Sequence, residues 1–184
     1  MKTLNSKFSP LNSNLKAFTM IELLVVIGTI VILSSLAITY SKTGERQIIL
    51  FKEQTSLVGL LIKARSLSFG AFGEAEVPCD YGVNFNESGK AILFREYSPS
   101  NDPKCSDADR VYNSGDEKIK ELNLDPMIKF SELGLTDVVF IPPDPKTIID
   151  NDENKFEALI KIKTISGSNE KIIKITNAGQ ITIQ

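Results

Sequence analysis

From Phe18 to Tyr40 the chain reads FTMIELLVVIGTIVILSSLAITY, an apolar run with a single charge, Glu22. A helix of about 20 such residues rises ~30 Å, the thickness of a bilayer's hydrocarbon core. No proline occurs between Pro10 and Pro78, so nothing forces a break beyond the run. Ser41-Lys42-Thr43-Gly44 is a polar junction at which Gly44 allows a bend. Helical periodicity then resumes. Leu50, Leu57, Leu61 and Ala64, with Phe51, Val58 and Ile62, recur at three- and four-residue spacings and predict one apolar stripe packed on the protein's own domain. Gln47, Lys52, Glu53, Lys63 and Arg65 are expected to decorate the rest of that helix. A helix from Thr19 to about Ser68 would span ~75 Å.

After Phe69-Gly70-Ala71-Phe72-Gly73 the period of the pattern changes to two. Val77–Phe85, Ala91–Tyr97, Lys118–Leu124, Met127–Phe130, Val138–Ile141, Phe156–Ile165, Lys171–Thr176 and Gln180–Ile183 are predicted strands. Glu87-Ser88-Gly89, Asn113-Ser114-Gly115-Asp116 and Gly167-Ser168-Asn169 carry turn chemistry. Pro142-Pro143-Asp144-Pro145 is expected to end a strand rigidly. The fold class that follows is α+β. A long N-terminal helix packs on an antiparallel sheet or sandwich of about 110 residues. The expected organisation is a basic leader over 1–17, a long helix over 18–70 with its membrane part at 18–40, and a β-rich head over 71–184.

Composition narrows the chemistry. The chain has 184 residues, 21 basic and 23 acidic side chains, and no histidine. Without histidine a Ser-His-Asp triad, a Cys-His dyad, a histidine-liganded zinc and a histidine general base are all excluded. Two cysteines can form one bridge and nothing larger. An enzyme is not expected, and no cofactor or resident metal is implied.

Charge around the apolar run sets its orientation. Residues 1–16 carry Lys2, Lys7 and Lys16 and no acid, which holds the N-terminus in the cytoplasm and sends the remainder outside it. An ordinary secretory signal would end its apolar run in a small-x-small cleavage site. Here the candidate cleavage point precedes the run, between Ala17 and Phe18, and cutting there would leave the anchor attached. Glu22 would then be the fifth residue of the mature chain. A carboxylate inside an apolar segment costs a few kcal/mol unless paired. An amine freed on Phe18, in the same or a neighbouring helix, would pair with it and set axial register. A bitopic anchor with Glu22 merely at the interface is the plainer alternative.

Lys16-Ala17-Phe18-Thr19-Met20-Ile21-Glu22-Leu23-Leu24-Val25-Val26-Ile27 resembles the class III leader of type IV pilins and type II secretion pseudopilins. It departs from that pattern at Ala17, where glycine is usual, and at Met20, where leucine is usual. The resemblance implies cleavage after Ala17 by a prepilin peptidase, N-methylation of Phe18, and a register-setting role for Glu22. Ala64-Arg65-Ser66 resembles a segment of the GspH/FimT type of minor pilin. Ile175-Thr176-Asn177-Ala178-Gly179-Gln180-Ile181-Thr182-Ile183 is similar to that branch's last hairpin. Residues 86–156 resemble nothing nameable.

The head holds three further candidates. Cys79 and Cys105 lie in the exported part, where disulfides form, and a bridge would add ~3 kcal/mol in the chain-entropy model; two buried thiols are the alternative. Asp150-Asn151-Asp152-Glu153-Asn154 opens like a calcium loop, but Lys155 and Lys161 stand where an EF-hand needs Gly and Glu. A solvated acidic turn is the expectation, with Asp102, Asp107 and Asp109 as the acids another geometry would use. Lys161 and Lys163 share a strand face near Lys171 and Lys174. Some FimT-like pilins bind DNA through a basic surface, whereas exposed strand lysines more often guard an edge. With Lys2, Lys7 and Lys16 removed, 18 basic side chains face 23 acidic ones, so nucleic-acid binding is not expected.

The combined expectation is a non-enzymatic filament subunit, a minor pseudopilin of a type II secretion apparatus. It would sit in the inner membrane as a single-pass protein with an extracytoplasmic head. Its implied partners are a prepilin peptidase, sister pilins or pseudopilins met through the N-terminal helix, and an inner-membrane assembly platform. The rivals are a minor pilin of a surface type IV pilus, serving adhesion, motility or DNA uptake, and a bitopic exported receptor or enzyme.

Overall fold

The computed structural model describes residues 18–71, 77–98, 100, 102, 105–142, 146–167 and 169–184. The leader with Ala17, the Pro143-Asp144-Pro145 run and Ser168 of the last predicted turn lie outside them. The fold is α+β, with one N-terminal helix and antiparallel sheets. The proline-free stretch forms α1, Met20–Gly70, which includes Gly44. The chain divides into two compact units, Met1–Lys42 and Thr43–Gln184, so the boundary falls inside α1 and the helix's second part belongs to the head unit.

In the first unit the side chains of Met20–Ile38 are exposed on every face, and this 19-residue stretch is long and apolar enough to cross a membrane. Two of its hydroxyls turn inward on the helix. Thr29 Oγ1 donates to the Val26 carbonyl at 2.9 Å and Ser35 Oγ to the Ile32 carbonyl at 2.8 Å. Both polar groups are thereby satisfied without water, as an apolar solvent requires.

In the second unit α1 has one buried line. Leu50, Gln54, Leu57, Leu61, Ala64, Ser68 and then Ala71 alternate by four and three residues, and all are buried. This corrects the broad stripe expected from the sequence: Phe51 is 60% and Ile62 54% exposed. They lie about 100° around the helix from Leu50 and Leu61, too far to share a face. Polar Glu53 and Gln54 take the buried positions instead. Gln54 Nε2 donates to the Ile172 carbonyl at 3.3 Å. Burial raises the Glu53 carboxyl's pKa; the Lys52 charge opposes this and the Asp125 charge adds to it.

Nine strands follow among the described residues: β1 Asp80–Asn86, β2 Lys90–Glu96, β3 Glu117–Asn123, β4 Ile128–Leu133, β5 Asp137–Ile141, β6 Lys146–Ile149, β7 Glu157–Thr164, β8 Glu170–Thr176 and β9 Ile181–Ile183. One sheet has the order β3-β2-β1-β5-β6 and the other β4-β7-β8-β9. Every pairing is antiparallel. Strand β6 was not foreseen. It is four residues long, too short for an alternation to register between a proline run and an acidic turn. Strand β1 starts at Asp80 instead of Val77, because Pro78 has no N–H for the ladder.

Helix and sheets close on one core. Leu57 and Leu61 from α1 meet Val83, Phe85, Leu93 and Phe140 of the first sheet and Ile160, Ile162, Ile173 and Ile175 of the second. Burying each such side chain contributes ~1.5–3 kcal/mol. The other face of the first sheet is covered as well. Phe94, wholly buried, stands over Gly82, its cross-strand partner, and tilts against Tyr112 with ring centroids 5.2 Å apart. A Cβ at position 82 would sit 2.3 Å from Phe94 Cζ, so only glycine fits beneath that ring.

Candidate functional site

The N-terminal end of α1 is built by Thr19. Its carbonyl accepts the N–H groups of Glu22 and Leu23 at 3.1 and 3.2 Å, and its hydroxyl accepts Glu22 N–H at 3.3 Å. Thr19 is thus the helix N-cap, with Glu22 three residues on, the spacing of a capping box. Phe18 precedes the cap and is exposed, and the Glu22 side chain is exposed in the first turn, where a carboxylate complements the helix dipole. Of the predicted processing pair, Phe18 is therefore described and Ala17 is not.

A second apolar line runs along the head unit's part of α1. Ile48, Phe51, Ile62 and Phe69 are exposed large apolar side chains, with half-buried Val58 between them. Their spacings of three, seven, four and seven residues with Val58 included keep them on one helix face. The sequence pattern merges this line with the buried one, since both are apolar and adjacent.

Cys79 and Cys105 are joined as a disulfide with Cα atoms 5.5 Å apart, closing a span of 26 residues. The bridge fastens the 105–116 segment across the outer face of β1 and β2. Further anchors come from two buried acids. Glu96 Oε1 accepts the Asp109 N–H at 2.9 Å and Oε2 the Arg110 N–H at 3.0 Å. Asp137 Oδ1 accepts Asn84 Nδ2 at 3.0 Å and the Tyr112 N–H at 3.2 Å. Asp80 lies directly opposite Glu96 in the β1–β2 ladder, and the two are 1% and 3% exposed. Neither Asp80 oxygen receives a donor from the described residues, so its contact with Glu96 requires Asp80's own proton. Burial, then the Glu96 charge, push the Asp80 pKa up to about 9. The sequence signalled the cysteines; it did not signal this pair, whose acids look like any polar strand ends.

The acidic positions weighed for calcium serve as local caps. Asp150 Oδ1 accepts the N–H groups of Thr136 and Asp137 at 2.5 and 3.1 Å, and Oδ2 meets Lys155 Nζ at 2.5 Å. Burial works to raise the Asp150 pKa, but the Lys155 ammonium and these donors carry it below the usual value. Asp152 Oδ1 caps the Asn154 N–H at 2.8 Å. Asp107 accepts the Ser100 hydroxyl and N–H, and hydrogen bonds from Ser100 and then Ser98 take its pKa down to about 2. Asp102 accepts the Ser106 N–H and hydroxyl, and Asp109 accepts Val111 N–H and Asn113 Nδ2.

The lysines do not form a continuous basic ribbon. Lys161 pairs with Glu132 at 2.6 Å, Lys174 pairs with Glu157 at 2.5 Å, and Glu170 stands opposite Lys163 in the β7–β8 ladder. Lys171 is in register with the buried Ile162, on the opposite face from Lys161 and Lys163.

The two stretches resembling a minor-pilin branch meet. Gly179, at φ +72°, turns the chain between β8 and β9, and a Cβ there would lie 3.0 Å from Thr147 Oγ1 and 3.4 Å from Arg65 Nε. Arg65 thus lies against the closing hairpin, its guanidinium 5.7 Å from the Phe69 ring centroid. No protein-family model matches the chain, and no curated protein or solved structure matches it either.

Proposed function

We propose that this chain is the precursor of a pilin-like filament subunit, a minor pseudopilin of a type II secretion apparatus. The observation that carries the reading is the first part of α1: a membrane-length apolar helix whose only acid, Glu22, follows a Phe18-Thr19 entry and a basic, acid-free leader. A prepilin peptidase would cut between Ala17 and Phe18, and Phe18 would be N-methylated. The inner membrane would hold the processed chain through Phe18–Tyr40, with the N-terminus cytoplasmic and the head outside. Extraction into a filament would then exchange lipid for the helices of sister subunits.

In that core the apolar surface selects nothing by itself, because helices that are apolar all round slide freely. Glu22 selects the stagger by pairing with a neighbouring Phe18 amine. The second line, Ile48 to Phe69, would extend the contact between subunits beyond the lipid-embedded stretch. The protein catalyses no reaction.

The test is the mature N-terminus. Mass spectrometry of the protein from its native membrane should find a chain beginning at Phe18 and heavier by one methyl group. A mature species that still begins at Met1 and carries no methyl group sinks the proposal in favour of a bitopic receptor or enzyme. Given correct processing, the culture supernatant of a deletion strain separates the two filament readings. Retention of a defined set of exported proteins supports secretion. An unchanged supernatant moves the assignment to a surface type IV pilus.

A further inference from the structure

The 105–116 segment is held against the first sheet by two kinds of fastening, one covalent and one that depends on a proton. The disulfide fixes its Cys105 end. Its middle is fixed by the Glu96 carboxylate, which takes the N–H groups of Asp109 and Arg110, and by Tyr112, packed on Phe94. Asp80 faces that carboxylate from β1 with no donor for either of its own oxygens.

The surroundings are acidic from every side. Glu96 faces Asp80 from β2 and Asp116 from the segment itself, with Asp109 acting in turn on Asp116. Asp137 comes from β5 and is likewise buried. Arg110 is a cation whose charge acts on Asp80, and it is shared with Glu153 at 3.6 Å, which also binds Lys146 at 3.0 Å. Lys118, on the edge strand β3, is committed to Glu121 at 2.8 Å. Two buried carboxylates in this setting have too little positive charge to neutralise them.

We propose that Asp80 and Glu96 form a proton-operated latch that holds the 105–116 segment as a lid over β1 and β2. With one proton between them, Asp80 is the O–H donor and Glu96 keeps its hold on the two lid amides. When Asp80 gives that proton to solvent, two anions face each other out of water. The strain is relieved by lifting the Asp109–Asn113 part of the lid, which admits water and uncovers Phe94. The disulfide keeps the lid tethered at Cys105, so the opening is local and reversible. On the outer side of a membrane, where pH is not buffered by the cytoplasm, such a latch would tie the exposed surface of the head to external pH.

The experiment is hydrogen–deuterium exchange of the full chain in detergent micelles, followed by mass spectrometry of peptides covering 105–116 and, as an internal reference, β7 and β8. Rates are corrected for the intrinsic pH dependence of amide exchange. Between about pH 7 and about pH 10 the lid of the wild-type chain should lose protection by roughly tenfold or more while β7 and β8 keep theirs. In Asp80→Asn the amide supplies the donor without titrating, and lid protection should then be the same at both pH values. Wild-type protection that does not change with pH overturns the proposal, as does an equal fall in wild type and Asp80→Asn. Should Asp80→Asn leave β7 and β8 unprotected, Asp80→Ser takes its place. Its hydroxyl donates without titrating and leaves both Glu96 oxygens to the lid amides, and the same two outcomes decide.

Discussion

The two parts of α1 are both rich in leucine, isoleucine and valine, yet they meet opposite fates. In Met20–Ile38 every face is exposed, and no line of positions is distinguished from another. From Leu50 onward one line, spaced four and three, is buried to the last residue, while the line beside it is bare except at half-buried Val58. Hydrophobicity alone therefore does not say where a helix will bury. A helix apolar all round has no preferred face and needs an apolar surrounding, lipid or other helices. A helix with a marked line has a face, and the sheets supply its cover.

The sharpest way to break the comparison is to delete the same side chain from both parts. Leu61, wholly buried among strands of both sheets, leaves a cavity when changed to alanine. Leu61→Ala should cost the head about 2–5 kcal/mol of stability, measured by urea unfolding of the full chain in detergent. Leu33→Ala removes an equal volume from an exposed position and should leave the same transition within about 0.5 kcal/mol. Equal losses at the two positions would mean that the first part of the helix is also packed on protein.

How much of this was readable from the sequence varies with the kind of information each feature needs. The length of α1 was, because the absence of proline over that stretch is a local property. So were most strands, whose alternation is local as well. The split between Leu50 and Phe51 was not, since both are apolar neighbours and only the sheets decide which faces inward. Polarity places Glu53 among the solvent-facing residues of the helix, whereas its position puts it, with Gln54, among the buried ones. Strand β6 was too short to show a period. The Asp80–Glu96 pair depends on the register of β1 against β2, which no single segment encodes. Glu22 at the helix entry is singled out by its charge in an apolar run, whereas the Thr19 cap that holds its N–H appears only in the structure.

The head should differ from the lipid-length part of α1 in a second respect, its response to pH. Asp80 keeps its proton in the folded head up to about pH 9, whereas the unfolded chain releases it near the ordinary carboxyl value of 3.8. Within that window unfolding releases a proton, so rising pH favours the unfolded chain. The stabilisation is complete below about pH 4 and is lost as pH climbs towards 9, with a slope of at most ~1.4 kcal/mol per pH unit. Burial raises Asp116 in the same direction, while Asp107 and Asp150, both lowered, lose their contribution only as pH falls below the carboxylate range. Urea midpoints taken between pH 5 and pH 9 should therefore decline, and Asp80→Asn should flatten the decline. A midpoint that rises with pH would contradict the charge arrangement around Asp80.

The smallest expected change in stability carries the most functional information. Phe51 neighbours Leu50 in sequence but stands 60% exposed on the bare line with Ile48, Ile62 and Phe69. A large exposed aromatic contributes little to the fold that displays it, so Phe51→Ala should move the unfolding transition by no more than about 0.5 kcal/mol. Leu50→Ala, one position away, removes a core side chain and should cost several times as much. If the bare line is the surface by which subunits meet, the ranking reverses in a cross-linking assay of membranes that also contain the sister subunits. Phe51→Ala would then lose cross-links to neighbours that Leu50→Ala, once folded, retains. Cross-linking unaffected by Phe51→Ala would confine subunit contact to the lipid-length part of α1 and leave the bare line without a role in assembly.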